Sequence, residues 1–82
     1  MKKRAARKTF GRIRYIILSA FKDKQLTAYE ISKITGIYWP TVRNHLIYLK
    51  GTDMIKEVFR HNRLKVFGLT EEGKNYLKRG KK

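Results

Sequence analysis

The stretch LTAYEISKITGIYWPTVRNHLIYLKG, residues 26–51, constrains this chain more than any other. Thr27 and Glu30 stand in T-x-x-E form, which caps a helix start by reciprocal side-chain-to-backbone bonds. Gly36 ends that helix, because glycine adopts a left-handed backbone without steric cost. Pro40 suits the first turn of the next helix, where N–H groups lack intrahelical partners anyway. Gly51 is expected to close this second helix as Gly36 closes the first. Residues 26–50 therefore read as helix, tight turn, helix, with Ile31 and Ile34 pointing inward and Leu26 and Ile37 flanking.

Upstream, from Thr9 to Phe21, apolar residues Phe10, Ile13, Ile17, Ala20 and Phe21 recur at helical spacing, with Ile16 at the edge. Tyr15 and Leu18 fall off that stripe, which makes them either isolated surface apolar residues or a homodimer contact. Downstream, MIKEVFRHNRLKVFGL (Met54–Leu69) is rich in Ile, Val and Phe with interleaved charges, the pattern of two short strands. Asn62 tolerates the positive φ of a tight turn between them. Thr70 then caps a final helix, with Glu71 and Glu72 where the helix dipole favours negative charge. Tyr76 or Leu77 should return to the core. The order helix, helix, helix, hairpin, helix gives an α+β fold with a small antiparallel sheet.

An 82-residue chain supports one domain with a modest core and a thin stability margin, which a dimer interface would widen. Residues 1–8, with Lys2, Lys3, Arg4, Arg7 and Lys8, read as a flexible basic arm, 9–79 as the folded domain, and 80–82 as a frayed basic tail. Twenty-one Lys and Arg face 6 Asp and Glu, a formal net charge of +15. Such an excess calls for a polyanionic partner, with nucleic acid first and an anionic membrane surface second. The longest apolar run, Tyr15 to Leu18, is far too short to span a bilayer, and the basic start lacks a signal peptide's apolar region. An intracellular location is expected, in the cytoplasm or, for a viral protein, the host cytoplasm.

LTAYEISKITGI resembles the first motif helix and turn of winged helix-turn-helix proteins. TVRNHLIYLKGTDMI resembles their recognition helix and exit into the wing, and GLTEEGKNYL their Leu-Thr-x-x-Gly start of the last helix. The basic, Cys-free composition also resembles small transcriptional regulators of archaea and archaeal viruses. The resemblance implies a three-helix core, a C-terminal β-hairpin wing and a short final helix. It further implies sequence-specific double-stranded DNA binding for transcriptional control, usually as a homodimer, with the third helix in the major groove.

Val42, Leu46 and Leu49 share one face of that third helix, and the opposite face centres on Asn44. Pro40, Ile47 and Tyr48 lie beside Asn44, with Thr41 and Arg43 on the flanks. Asn pairs bidentately with an adenine edge and Arg with guanine, while Ile47 could meet a thymine methyl. Tyr38 and Trp39 sit at the end that enters the groove, where a helix N-terminus favours phosphate. Trp39 has a second reading, as a lid folded over the core. On the wing, Arg60 and Arg63 suit a narrow minor groove and Lys65 a phosphate. His61 and Asn62 serve either as contacts or as plain turn residues. The arm either tracks an adjacent minor groove or only solubilises.

Catalysis is not indicated. His45 and His61 are the only histidines and form no metal-ligand spacing. His45 adjoins core-facing Leu46, as a packed histidine would. Glu30, Glu71 and Glu72 have helix-start roles, and Asp23, Asp53 and Glu57 form no acid–base pair. No cofactor, metal or small-molecule effector is expected. Two rival functions use the same charge and fold, namely a structured-RNA or architectural nucleic-acid binder and a protein-interaction module.

Overall fold

The computed structural model describes residues 10–80. The basic arm, Thr9 and residues 81–82 lie outside the described residues. The elements are α1 (Phe10–Phe21), α2 (Ala28–Thr35), α3 (Trp39–Gly51), β1 (Ile55–His61), β2 (Leu64–Leu69) and α4 (Glu71–Gly80). This is the α+β winged helix-turn-helix arrangement that the sequence implies. No helix among the described residues is long and apolar enough to cross a membrane.

The local signals act as written. Thr27 Oγ1 accepts from the Glu30 N–H (3.1 Å), and Glu30 Oε1 accepts from the Thr27 N–H (2.9 Å), so the capping box closes on both sides. Gly36 takes φ 76° and donates its N–H to the Ser32 carbonyl. α3 begins without a side-chain cap; instead the Tyr38 carbonyl accepts from the N–H groups of Thr41 and Val42, both at 3.0 Å. Asn62 takes φ 56° at the wing turn.

Three expectations fail for physical reasons. Gly51 does not end α3 in a left-handed conformation. The helix runs through it to a C-cap at Thr52, and Asp53 takes the positive φ of 65°, which a short polar side chain tolerates. Ile34 is exposed, because the short α2 docks through Ile31 while Ile37, beyond the turn, packs on the core beside it. Leu18 is fully buried and cannot be a dimer contact. α1 packs against α2, α3, β2 and α4 together, so its buried arc is wider than a single stripe.

The core comprises Ile17, Leu18, Phe21, Leu26, Ile31, Val42, Leu46, Leu49, Ile55 and Phe67, with Tyr76 and Leu77 of α4 packed against it. His45 is buried beside them. Burial and then the Arg14 charge hold its imidazole below the ordinary range, so the neutral form belongs to the native state.

Two close approaches orient the hairpin. Leu26 forms a β-bridge to Phe67, with reciprocal N–H to carbonyl bonds of 2.9 and 2.8 Å, anchoring β2 to the loop before α2. At the other end, the Thr70 hydroxyl donates to the Asp53 carbonyl and accepts from the Gly73 N–H (3.0 Å). The Thr70 N–H meets the Met54 carbonyl at 3.1 Å. Gly73 is buried so closely on this segment that an added Cβ would collide with the Met54 carbonyl oxygen. The glycine of LTEEG is thus a packing requirement. Gly73→Ala is expected to destabilise the domain by about 2 kcal/mol or more, as overpacking against backbone does. Thermal melts should fall by roughly 10 °C in a domain of this size; an unchanged melt would refute the close approach.

Candidate nucleic-acid interface

The face of α3 turned away from the core is open to solvent. Arg43 and Asn44 are exposed, Ile47 is 64% exposed and Tyr48 48%, whereas Pro40 and Thr41 are half-buried on the flanks. Exposing so much apolar surface beside polar side chains is what a surface built to be covered looks like. Tyr38, at the helix start, is 75% exposed.

Trp39 is not a lid over the core. It lies outside the core cluster and is 42% exposed, but it carries the Arg43 guanidinium 5.5 Å from its ring centroid. This cation–π contact spans one helical turn and steadies Arg43 at the edge of the α3 face. Tyr48 has a similar partner from another element, the Arg14 guanidinium 3.7 Å from its ring centroid. One face of Tyr48 is therefore occupied by α1.

A groove of about 980 Å³ separates α3 from the wing. Trp39, Leu46, Ile47 and Phe67 supply apolar wall, and Arg43, Lys50, Arg63 and Lys65 supply positive charge. Sequence reasoning brought Arg43, Arg63 and Lys65 to this site but missed Lys50, Tyr29 and Leu64, which also line it. His61 is exposed and stacks on Phe59, ring centroids 6.5 Å apart.

Arg60 is exposed near the wing turn, but its guanidinium is tied to Glu57. Its Nε donates to Glu57 Oε2 at 2.7 Å and its Nη2 to Glu57 Oε1 at 3.0 Å, while Lys50 Nζ approaches Oε1 at 3.4 Å. Residues three apart in a regular strand face opposite sides. Here the register shifts between Glu57 and Phe59, a β-bulge that turns Glu57 and Arg60 to the same side. Hydrogen bonding from Arg60 is the main cause that lowers the Glu57 carboxyl pKa to about 2. Among the described residues no group of three or more His, Cys, Asp or Glu could hold a metal.

A depressed carboxyl pKa means that the Glu57 tie contributes fully above the ordinary value of 4.5 and fades as pH falls toward about 2. His45, whose pKa is lowered by burial and then by Arg14, also destabilises the native state as it takes up a proton on acidification, so a global melt mixes the two. A site-resolved carboxyl ¹³C titration should therefore place the Glu57 midpoint near 2, and Arg60→Gln should raise it toward 4.5. A midpoint near 4.5 in the parent would show that the tie does not persist in solution.

The chain and its fold have counterparts among known proteins. Residues 12–57, more than half of the chain, match the family described as "Bacterial regulatory protein, arsR family". A search of curated protein sequences gives no significant match. Among solved structures the chain is similar to Bordetella bronchiseptica BpsR, whose DNA binding is regulated by 6-hydroxynicotinic acid. The TM-score is 0.74 at 21% identity, over 93% of this chain and 53% of that one. Similarity to Bacillus subtilis PadR, solved in complex with operator DNA, gives a TM-score of 0.71 at 19% identity, over 82% of this chain and 45% of PadR. The chain thus spans about half the length of these two regulators. A transcriptional regulator from Clostridium thermocellum gives 0.71 at 27% identity, over 84% of this chain and 76% of that one. The chain belongs to the bacterial regulatory protein, arsR family, and its fold is that of a winged helix-turn-helix DNA-binding protein.

Proposed function

We propose that this chain is a sequence-specific transcriptional regulator that lays α3 in the major groove of duplex DNA and sets the wing on backbone or minor groove. The observation that carries this reading is the composition of the exposed α3 face, with Asn44 beside Arg43 and Ile47, the latter two lining a groove with Lys50, Arg63 and Lys65. Asn44 reads an adenine edge and Ile47 a thymine methyl. Arg43, steadied by Trp39, reads guanine or grips the adjacent phosphate. Tyr38, Trp39 and Thr41 bring hydroxyl and indole donors to the helix start, where the backbone itself favours phosphate. Pro40 preorganises that start by fixing φ.

On the wing, Arg63 at the turn is the residue for a narrow minor groove, while Lys65 holds phosphate. Asn62 makes the turn, and His61 with Tyr48 contributes contact area around the reading face. The basic arm, Lys2 to Lys8, follows the neighbouring minor groove. Binding as a homodimer would demand a near-palindromic site, with half-sites about one helical turn or a multiple apart. With Leu18 in the core, half-buried Tyr15 is the residue of the expected pair left for that contact. No effector is assigned to this chain, although BpsR responds to one.

Selection of bound duplexes from a random pool at about 150 mM salt tests the reading, because screening at that ionic strength weakens nonspecific phosphate binding. An enriched palindrome is expected. No enrichment despite tight binding at low salt would leave an architectural or RNA-binding domain in its place. With a site in hand, Asn44→Ala should cost about 1–3 kcal/mol of discrimination at one base pair. Lys65→Ala should weaken all duplexes alike and flatten the salt dependence by about one phosphate contact. The reverse pattern would exchange the two roles. A protein-interaction module would instead tolerate Arg43→Ala and Asn44→Ala in complex formation.

A further inference from the structure

Glu57 is an anomaly in its surroundings. The chain carries 21 Lys and Arg against 6 Asp and Glu, yet one of those few acids lines the very groove that Arg43, Lys50, Arg63 and Lys65 make positive. Its side chain is 16% exposed, against 51% for Lys50 and 55% for Arg60, so the carboxylate sits deeper than either cation it holds. The bidentate Arg60 contact braces the wing, but a carboxylate placed there acts on binding as well. In a surface meant for a polyanion, a fixed negative charge lowers affinity for every phosphate that approaches. It also engages two cations that would otherwise meet phosphate.

We propose that Glu57 is a specificity-determining residue of this groove, withholding Lys50 and Arg60 from phosphate unless the duplex is already seated through the α3 face. This rests on the DNA-binding reading above. Nonspecific binding is almost wholly electrostatic, so a duplex without its site settles wherever cations are most available. Releasing Lys50 and Arg60 would deepen that mode. In the specific mode, base contacts from α3 fix where the phosphates lie, and two additional cations, Lys50 in the groove and Arg60 on β1 beside it, change the fit less. Glu57 therefore widens the gap between the two modes by penalising the one placed by charge alone.

The test compares parent and Glu57→Gln, with folding checked by circular dichroism, on the selected site and on a random duplex across 50 to 200 mM salt. For the random duplex, affinity should rise about tenfold or more, and the slope of log K against log[salt] should steepen by about one to two, near 0.9 per recovered contact. The selected site should gain less, so the specificity ratio falls. Arg60→Gln should reduce random-duplex affinity more in the Glu57→Gln background than in the parent, as coupled residues do. Unchanged random-duplex affinity and slope, or equal gains on both duplexes, would overturn the proposal. Should Glu57→Gln not fold, two double variants carry the same decision. Lys50→Gln with Arg60→Gln must flatten the parental slope less than Arg63→Gln with Lys65→Gln, and an equal or larger flattening overturns the proposal. A parent that binds no duplex even at 50 mM salt would instead overturn the DNA-binding reading itself.

Discussion

The burial of α1 is the constraint on which the rest of the molecule depends. Ile17, Leu18 and Phe21 are each 0% exposed, and that requires α2, α3, α4 and the hairpin to surround one helix. A chain of this length has material for a single core. Val42, His45, Leu46 and Leu49 are drawn to it, which leaves the opposite face of α3 largely exposed, apart from the Arg14 contact on Tyr48. The exposed face of α3 is thus a consequence of how the small core is filled. Closing the short segment between α3 and β1 has the same origin. Thr70, Gly73 and α4 pack onto Asp53 and Met54, and this sets the angle at which the hairpin leaves α3. Together with the Leu26–Phe67 bridge, this packing positions the hairpin against α3.

What could be read from the sequence is what short-range physics decides. The Thr27–Glu30 box, the Gly36 turn, the Asn62 turn and the Thr70 cap each depend on a few neighbouring residues, and each occurs where its residues stand. The outer face of α3 was equally legible, because a single helical period separates Asn44 and Ile47 from Leu46 and Leu49. Leu18 was not. Whether an off-stripe residue is buried depends on how many elements surround its helix, and α4, which closes around α1, begins more than fifty residues later in the chain. Ile34 fails in the opposite sense, since a short helix needs one anchor and Ile31 already supplies it. Gly51 shows the limit of a residue-type rule. Either Gly51 or Asp53 could supply the left-handed turn, and the contacts of residues 53 and 54 with Thr70 select the later position.

Glu57 carries the same lesson into the interface. A regular strand would send Glu57 and Arg60 to opposite faces and leave Arg60 projecting for the minor groove. One inserted residue at Val58 reverses that geometry, and nothing in the string KEVFRH announces a bulge, which is a property of pairing with β2. The bulge changes the electrostatics as well as the shape. It converts a run of wing cations into a divided set, with Arg63 and Lys65 toward the turn and Arg60 tied back with Lys50 to one carboxylate. A protein with a formal charge of +15 needs no help in finding DNA, since steering grows with net charge regardless of sequence. What such a charge erodes is the difference between one duplex and another. In the role proposed for Glu57, tying Lys50 and Arg60 to one carboxylate restores that difference without altering the α3 face. The acid has its effect only because the strand pairing, and not the local sequence, turns it toward them.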